Sequence, residues 1–128
     1  GSAYTPPAAT GTVFADIPAN FWAAAWIEQL AAEGITGGCG NGNYCPSTPV
    51  TRDQMAVFLL RAEHGSSYAP PTASGAIFGD IPSNFWAAAW VEQLAAEVSL
   101  AVAAAAILAL AHVLTEDRGN GQFFKVNN

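Results

Sequence analysis

The sequence predicts a mainly α protein of tandem helix–loop–helix repeats, with a long Ala-rich helix in the second repeat and little or no β structure. Three observations carry this expectation. The stretch Tyr4–Glu33 returns as Tyr68–Glu97, with 22 of the 30 aligned pairs identical. Self-similarity at a fixed shift is the mark of a repeat architecture. Within each copy, apolar residues recur at three- and four-residue intervals behind capping residues. Finally, the run Val98–Leu114 contains neither Gly nor Pro.

The elements follow in order. Residues 1–12 are rich in Pro, Ala, Thr and Gly and read as an extended lead-in. Gly1-Ser2 fits either an expression scar or the start of a processed chain, and no signal peptide is visible. The first repeat spans residues 13–62. Asp16-Ile17-Pro18 is a turn in which the carboxylate can accept backbone N–H groups. Asn20 stands where an N-cap belongs, so the pattern Phe21, Ala24, Ala25, Ile27, Leu30 and Ala31 predicts a helix from Phe21 to about Glu33, stopped by Gly34. A glycine- and asparagine-rich loop follows, then the rigid turn Pro46-Ser47-Thr48-Pro49. Thr51 with Gln54 three residues on reads as a capping box that opens a second helix, whose expected buried stripe is Met55, Phe58, Leu59 and Ala62.

Residues 63–76 read as a linker, and residues 77–128 as a second, incomplete repeat. Asp80 and Asn84 repeat Asp16 and Asn20, and a helix is expected from Phe85. Where Gly34 stops the first helix, Val98 continues the second. Ala and Leu are strong helix formers, so this helix is expected to reach about Leu114, a rod of about 45 Å. Thr115–Phe123 then aligns with Thr36–Tyr44. The offset between the copies is larger there than at Tyr4 and Tyr68, which implies an insertion of about four helical turns ahead of a second glycine loop. The sequence ends before any counterpart of the Thr51 helix.

Composition narrows the function. Ten acidic residues against four Lys and Arg give a net charge of -6, which argues against nucleic acid or an anionic membrane surface as an electrostatic partner. The two cysteines, Cys39 and Cys45, flank a turn-rich loop and are expected to form a disulfide in an oxidising compartment. No second Cys pair accompanies them, and His64 and His112 are single histidines, so no metal and no cofactor is expected. No Ser-His-Asp order, tight pair of catalytic acids or phosphate loop is present, so no enzyme and no catalytic residue is expected.

The residues also carry a resemblance. Phe14-Ala15-Asp16-Ile17-Pro18, Phe21-Trp22-Ala23, Trp26–Gly38 (WIEQLAAEGITGG), Tyr44-Cys45-Pro46 and Pro49–Ala62 (PVTRDQMAVFLLRA) stand in the order and spacing of an S-layer homology repeat. The first repeat resembles that family over Val13–Ala62, and Ile77 to about Phe123 resembles an expanded, incomplete copy. The resemblance implies a bacterial surface protein held without covalent bonds on an acidic, often pyruvylated, wall polysaccharide. It implies Arg52 with Thr51, Asp16 and Trp22, and Asp80 and Trp86 of the second copy, as glycan contacts. The sequence departs from the family in having one Thr-Arg motif rather than three, Asp53-Gln54 where the family has Ala-Glu, and an unfinished second repeat.

Each feature has a plainer reading. Arg52 has the planar, always-charged fork suited to acidic groups, but it is also an ordinary first-turn residue. Trp26 and Trp90 are expected in the core, because tryptophan buries a large area. Asp16 and Asp80 are expected to cap turns rather than bind calcium, for want of further carboxylates. The charge-free run Val98–Ala111 is shorter than a membrane span, so the membrane is not the expected partner of the apolar helix. An all-round apolar helix must be buried somewhere. Val98, Leu100, Val102, Ile107, Leu108 and Leu110 are therefore expected to pack against other copies of the chain.

Two functions compete on this reading. One is an extracellular structural subunit of the bacterial surface that self-assembles into a filament or lattice, a neighbour completing the unfinished repeat through a heterologous contact. The alternative is a wall-anchoring module that binds acidic polysaccharide.

Overall fold

The computed structural model describes residues 3–120 of the chain, with side chains described through residue 109 of the last helix. Three helices form among the described residues: α1 (Ala24–Ala32), α2 (Arg52–His64) and α3 (Ala88–Asn120). Among the described residues there is no strand, only an isolated bridge between Gly40 and Asn43, so the fold is mainly α. Two compact units divide the chain, Gly1–Glu92 and Gln93–Asn128.

In the first unit, α1 begins three residues later than the apolar pattern predicts. The chain winds into it through short i→i+3 bonds: Phe21 N–H donates to Pro18 C=O at 2.9 Å and Ala24 N–H to Phe21 C=O at 3.0 Å. The N-cap is Ala23, without a side-chain cap bond; the backbone turn from Pro18 takes the place expected of Asn20. The other end behaves as expected. Glu33 is the C-cap, and Gly34 N–H returns to Ala31 C=O at 3.0 Å.

The first core gathers Phe14, Ile17, Ala23, Ala24 and Ile27, with Ala9, Phe21, Ala31 and Tyr44 packed against it. Ile17 is 1% exposed. Trp26 is not a core residue. It is 49% exposed and meets Tyr4 edge-on at 6.0 Å, because the small Ala23 and Ala24 take the inward positions. Leu30, also expected inside, is exposed, whereas Trp90 is half-buried.

α2 opens at Thr51 through the expected capping box, with Thr51 N–H donating to Gln54 Oε1 at 3.1 Å. It runs to His64, two residues into the stretch expected as linker. Its buried face differs from the predicted stripe. Ala56, Val57 and Leu60 are buried, Phe58 is half-buried, and Met55, Leu59 and Ala62 are exposed. The physical reason is that Met55–Leu60 is apolar without interruption, so periodicity does not select a face; packing does, and small Ala56 permits the closest approach.

The second copy rebuilds the local geometry of the first. Phe85 N–H donates to Pro82 C=O at 2.9 Å and Ala88 N–H to Phe85 C=O at 3.0 Å, so α3 starts at Ala88, the counterpart of the α1 start, rather than at Phe85. Tyr68 meets Trp90 edge-on at 6.0 Å, as Tyr4 meets Trp26. Ala87 and Ala88 are buried, while Phe78 is 40% exposed where Phe14 is 6%.

The second unit is helical from Gln93 to Asn120. The helix therefore passes the predicted end at Leu114, and Thr115–Asn120 does not form the expected loop. Thr115-Glu116-Asp117-Arg118 contains nothing that stops a helix, and propagation adds one bond per residue fixed. The rest of that predicted loop, residues 121–123, lies outside the described residues. Val98, Leu100, Val102, Ile107 and Leu108 are all exposed; Leu110 lies outside the described side chains. By length and composition Ala88–Ala109 is long and apolar enough to cross a membrane, a longer stretch than the charge-free run because it tolerates Glu92 and Glu97. Its first two turns are otherwise engaged, since Ala88 is buried and Glu92 is bound to the linker.

Candidate functional site

Two acidic clamps organise the first unit, one in each copy of the duplicated stretch. Glu28 on α1 accepts Thr10 N–H at 2.8 Å and Gly11 N–H at 2.7 Å. Glu92 on α3 accepts Ser74 N–H and Gly75 N–H, both at 2.7 Å. Gly11 and Gly75 each have φ of 72°, and a Cβ there would meet the backbone nitrogen of Ala19 at 2.5 Å or of Ser83 at 2.6 Å. Only glycine suits that left-handed, crowded position. The clamped backbone N–H groups hold both carboxyls below their ordinary pKa of 4.5, the Thr10 and Ser74 N–H groups contributing most. The sequence reading missed these residues. The available signal was the joint return of Glu and Gly in both copies.

A third clamp holds the loop between α1 and α2. Asp16 Oδ1 accepts Tyr44 N–H and Oδ2 accepts Cys45 N–H, each at 2.7 Å. These bonds lower the Asp16 pKa, that from Tyr44 first. Ala15 N–H reaches Gly42 C=O at 2.9 Å, and the rings of Phe14 and Tyr44 stand 5.4 Å apart. The Cys39–Cys45 disulfide closes the same loop. Both Asp16 oxygens therefore have partners inside the loop. Asp80 makes no hydrogen bond among the described residues, and the aligned counterparts of Tyr44 and Cys45, Phe123 and Phe124, lie outside them.

The start of α2 carries the most suggestive grouping. Trp86 Nε1–H, from the second copy, donates to Asp53 Oδ2 at 3.0 Å. Asp53 is also bonded by the Thr51 hydroxyl, the foremost cause of its lowered pKa. Two turns further along α2, the Arg61 guanidinium lies 5.6 Å from the Trp90 ring centroid, within cation–π range. These two bridges tie α2 to the start of α3. Between their anchor points in sequence lie the buried Ala56, Val57, Leu60, Ala87 and Ala88.

The Asp53 bond sets Trp86 at the first turn of α2, which Thr51 caps and Arg52 begins. Arg52 is exposed, and among the described residues no carboxylate pairs with it. Trp86 keeps 61% of its surface exposed. The site offers a guanidinium fork and an aromatic face at a helix N-terminus, a combination suited to acidic groups and to flat apolar ring faces. Among the described residues, no hydrogen bond or ring contact links Asp16, Trp22 or Asp80 to this cluster. No group of three or more potential metal-ligating side chains occurs among the described residues.

No curated protein and no solved structure matches the chain. Residues 13–56, which hold α1, the disulfide loop with its Asp16 clamp, and Thr51-Arg52-Asp53, match the S-layer homology domain family. The likeness is to a surface-anchoring domain, covers residues 13–56 alone, and points to a role at the cell surface or cell wall.

Proposed function

We propose that the first unit is a wall-anchoring module that binds an acidic cell-wall polysaccharide at the start of α2, with residues 77–128 forming a second, incomplete S-layer-homology-like repeat. Arg52 takes the acidic groups of the glycan, Thr51 holds Asp53 beside it, and the exposed ring of Trp86 stacks on a sugar. The observation that carries this reading is the Trp86–Asp53 hydrogen bond, which holds an exposed aromatic ring at the helix start where Arg52 is the first residue. Asp16 serves in this reading by fixing the loop that precedes α2. Trp22 and Asp80 are left as outlying contacts. The chain is expected to co-sediment with purified wall polysaccharide, and Arg52→Ala to abolish most of that binding. Equal retention of the two proteins refutes the assignment.

A second reading is favoured by one observation, the exposure of Val98, Leu100, Val102, Ile107 and Leu108 along the second unit. Exposed apolar surface of that extent marks an interaction surface. On this reading copies of the chain self-assemble through α3 into a filament or lattice outside the cell. Sedimentation velocity without glycan tests it: the chain should run as large particles, and Leu108→Pro should leave soluble protein. Monomeric behaviour of the intact chain at high concentration contradicts it.

A further inference from the structure

The apolar part of α3 has no side that suits water. Every side chain from 98 to 109 is exposed, Leu100 to 70% and Leu108 to 71%. At 100° per residue, Val98, Val102, Ile107 and Leu108 fall at about 0°, 40°, 180° and 280° around the axis, and the positions between them are Leu100, alanines and Ser99. The one hydroxyl, on Ser99, has the carbonyl four residues back within reach in a helix. Sequence alone ends the charge-free run at His112, but a neutral imidazole lets it continue: residues 98–115 contain no Asp, Glu, Lys or Arg. α3 is continuous across this run, so its backbone polar groups are bonded within the helix, as a lipid interior demands. Its length is about 27 Å, against a hydrocarbon core of about 30 Å. Glu97 precedes the run and Glu116-Asp117-Arg118 follow it, which leaves charges for water at both ends.

We propose that residues 98–115 cross a lipid bilayer as a single helix, with the first unit on the outer side. A second copy laid along α3 covers one side of it, whereas the acyl interior of a bilayer covers all of them. The net charge of -6 opposes an electrostatic hold on anionic headgroups, but burial among acyl chains needs none. Two independent features set the direction. Arg118 and Lys125 follow the run closely, while the nearest Lys or Arg before it is Arg61, and such a bias keeps the basic flank inside. The Cys39–Cys45 disulfide belongs on the oxidising side. Behind an exported first unit, the run acts as a stop-transfer segment.

The test produces the full chain behind a cleavable secretory leader in a bacterium without an acidic wall polysaccharide, so the outcome is independent of glycan binding at α2. After wall digestion and an alkaline carbonate wash, the chain should float with the membranes on a density gradient. With Asn128→Cys added, a membrane-impermeant maleimide should label that position only after the cells are permeabilised. Leu108→Arg keeps a strong helix former but sets a charge near the middle of the run, and should lower the floating fraction by about tenfold or more. Soluble exported protein, large particles that sink, or release by the carbonate wash overturns the proposal. So does labelling of position 128 in intact cells, and so does flotation unchanged by Leu108→Arg.

Discussion

Leu59 and Leu60 are adjacent, chemically identical and oppositely placed, which makes them a sharp test of how α2 is seated. Leu60 is 1% exposed and Leu59 is 48% exposed. Truncating a fully buried leucine loses its transfer free energy and leaves a cavity, about 2–5 kcal/mol. At Leu59 roughly half of a full burial term of about 1.5–3 kcal/mol is at stake, and solvent fills the space, so about 0.7–1.5 kcal/mol is expected. The helix-propensity change is the same at both positions and cancels in the comparison. Leu60→Ala should therefore cost about 1.5–3 kcal/mol more than Leu59→Ala. With a urea slope of about 1–2 kcal/mol/M for a domain of this size, the two midpoints should differ by about 1–2 M. The assay is urea unfolding followed by far-UV circular dichroism, with unchanged slopes as the check that only stability has moved. Equal losses, or a larger loss at Leu59, would show that α2 buries the Met55–Leu59 face and would refute the packing described.

The remaining predictions concern the clamps and the loop. At Gly38, φ is +77° and a Cβ would meet Asn43 C=O and the Phe14 ring, whereas at neighbouring Gly37 it would meet nothing; Gly38→Ala should cost about 2–4 kcal/mol in thermal unfolding, combining the left-handed penalty with displacement of the loop, and Gly37→Ala far less. Reducing the disulfide, or Cys39→Ser, should cost about 2–2.5 kcal/mol by the loop-entropy estimate for so short a ring; an unchanged urea midpoint in reductant would contradict this. The Glu28 carboxyl has a folded pKa below 4.5, so its contribution is fully present above the unfolded value and lost as pH falls through the folded one. Glu28→Gln should accordingly be less stable than the parent at pH 7, with the gap closing in acid, and a pH-independent gap speaks against the clamp.

What the sequence disclosed was mostly local chemistry. The Thr51–Gln54 capping box, the stop at Gly34 and the Cys39–Cys45 pairing each depend on a few neighbouring residues, and each is found in the structure. The buried face of α2 was not legible because the unbroken apolar run Met55–Leu60 leaves periodicity nothing to choose between. Trp26 misled through its size, which suggests a core residue, while Ala23 and Ala24 occupy the interior. The Trp86–Asp53 bond joins positions far apart in sequence and belongs to no local pattern. Glu28 and Glu92 look like the solvated side of a helix until the turns that they clamp are placed beside them. At the end of α3, alignment with the first loop suggested a break at Thr115, yet helix continuation prevails through Asn120.

The central claim is that Thr51, Arg52 and Trp86 form a site for acidic polysaccharide, and the Trp86 indole N–H is its most direct reporter because it is bonded within the site. Titration of the full chain with purified wall polysaccharide, followed at the four indole N–H signals, should move Trp86 in a saturable manner. Added salt should weaken the effect, and Arg52→Ala should abolish it. An unmoved Trp86 signal under conditions where the polysaccharide binds, or binding that survives Arg52→Ala unchanged, would contradict the account.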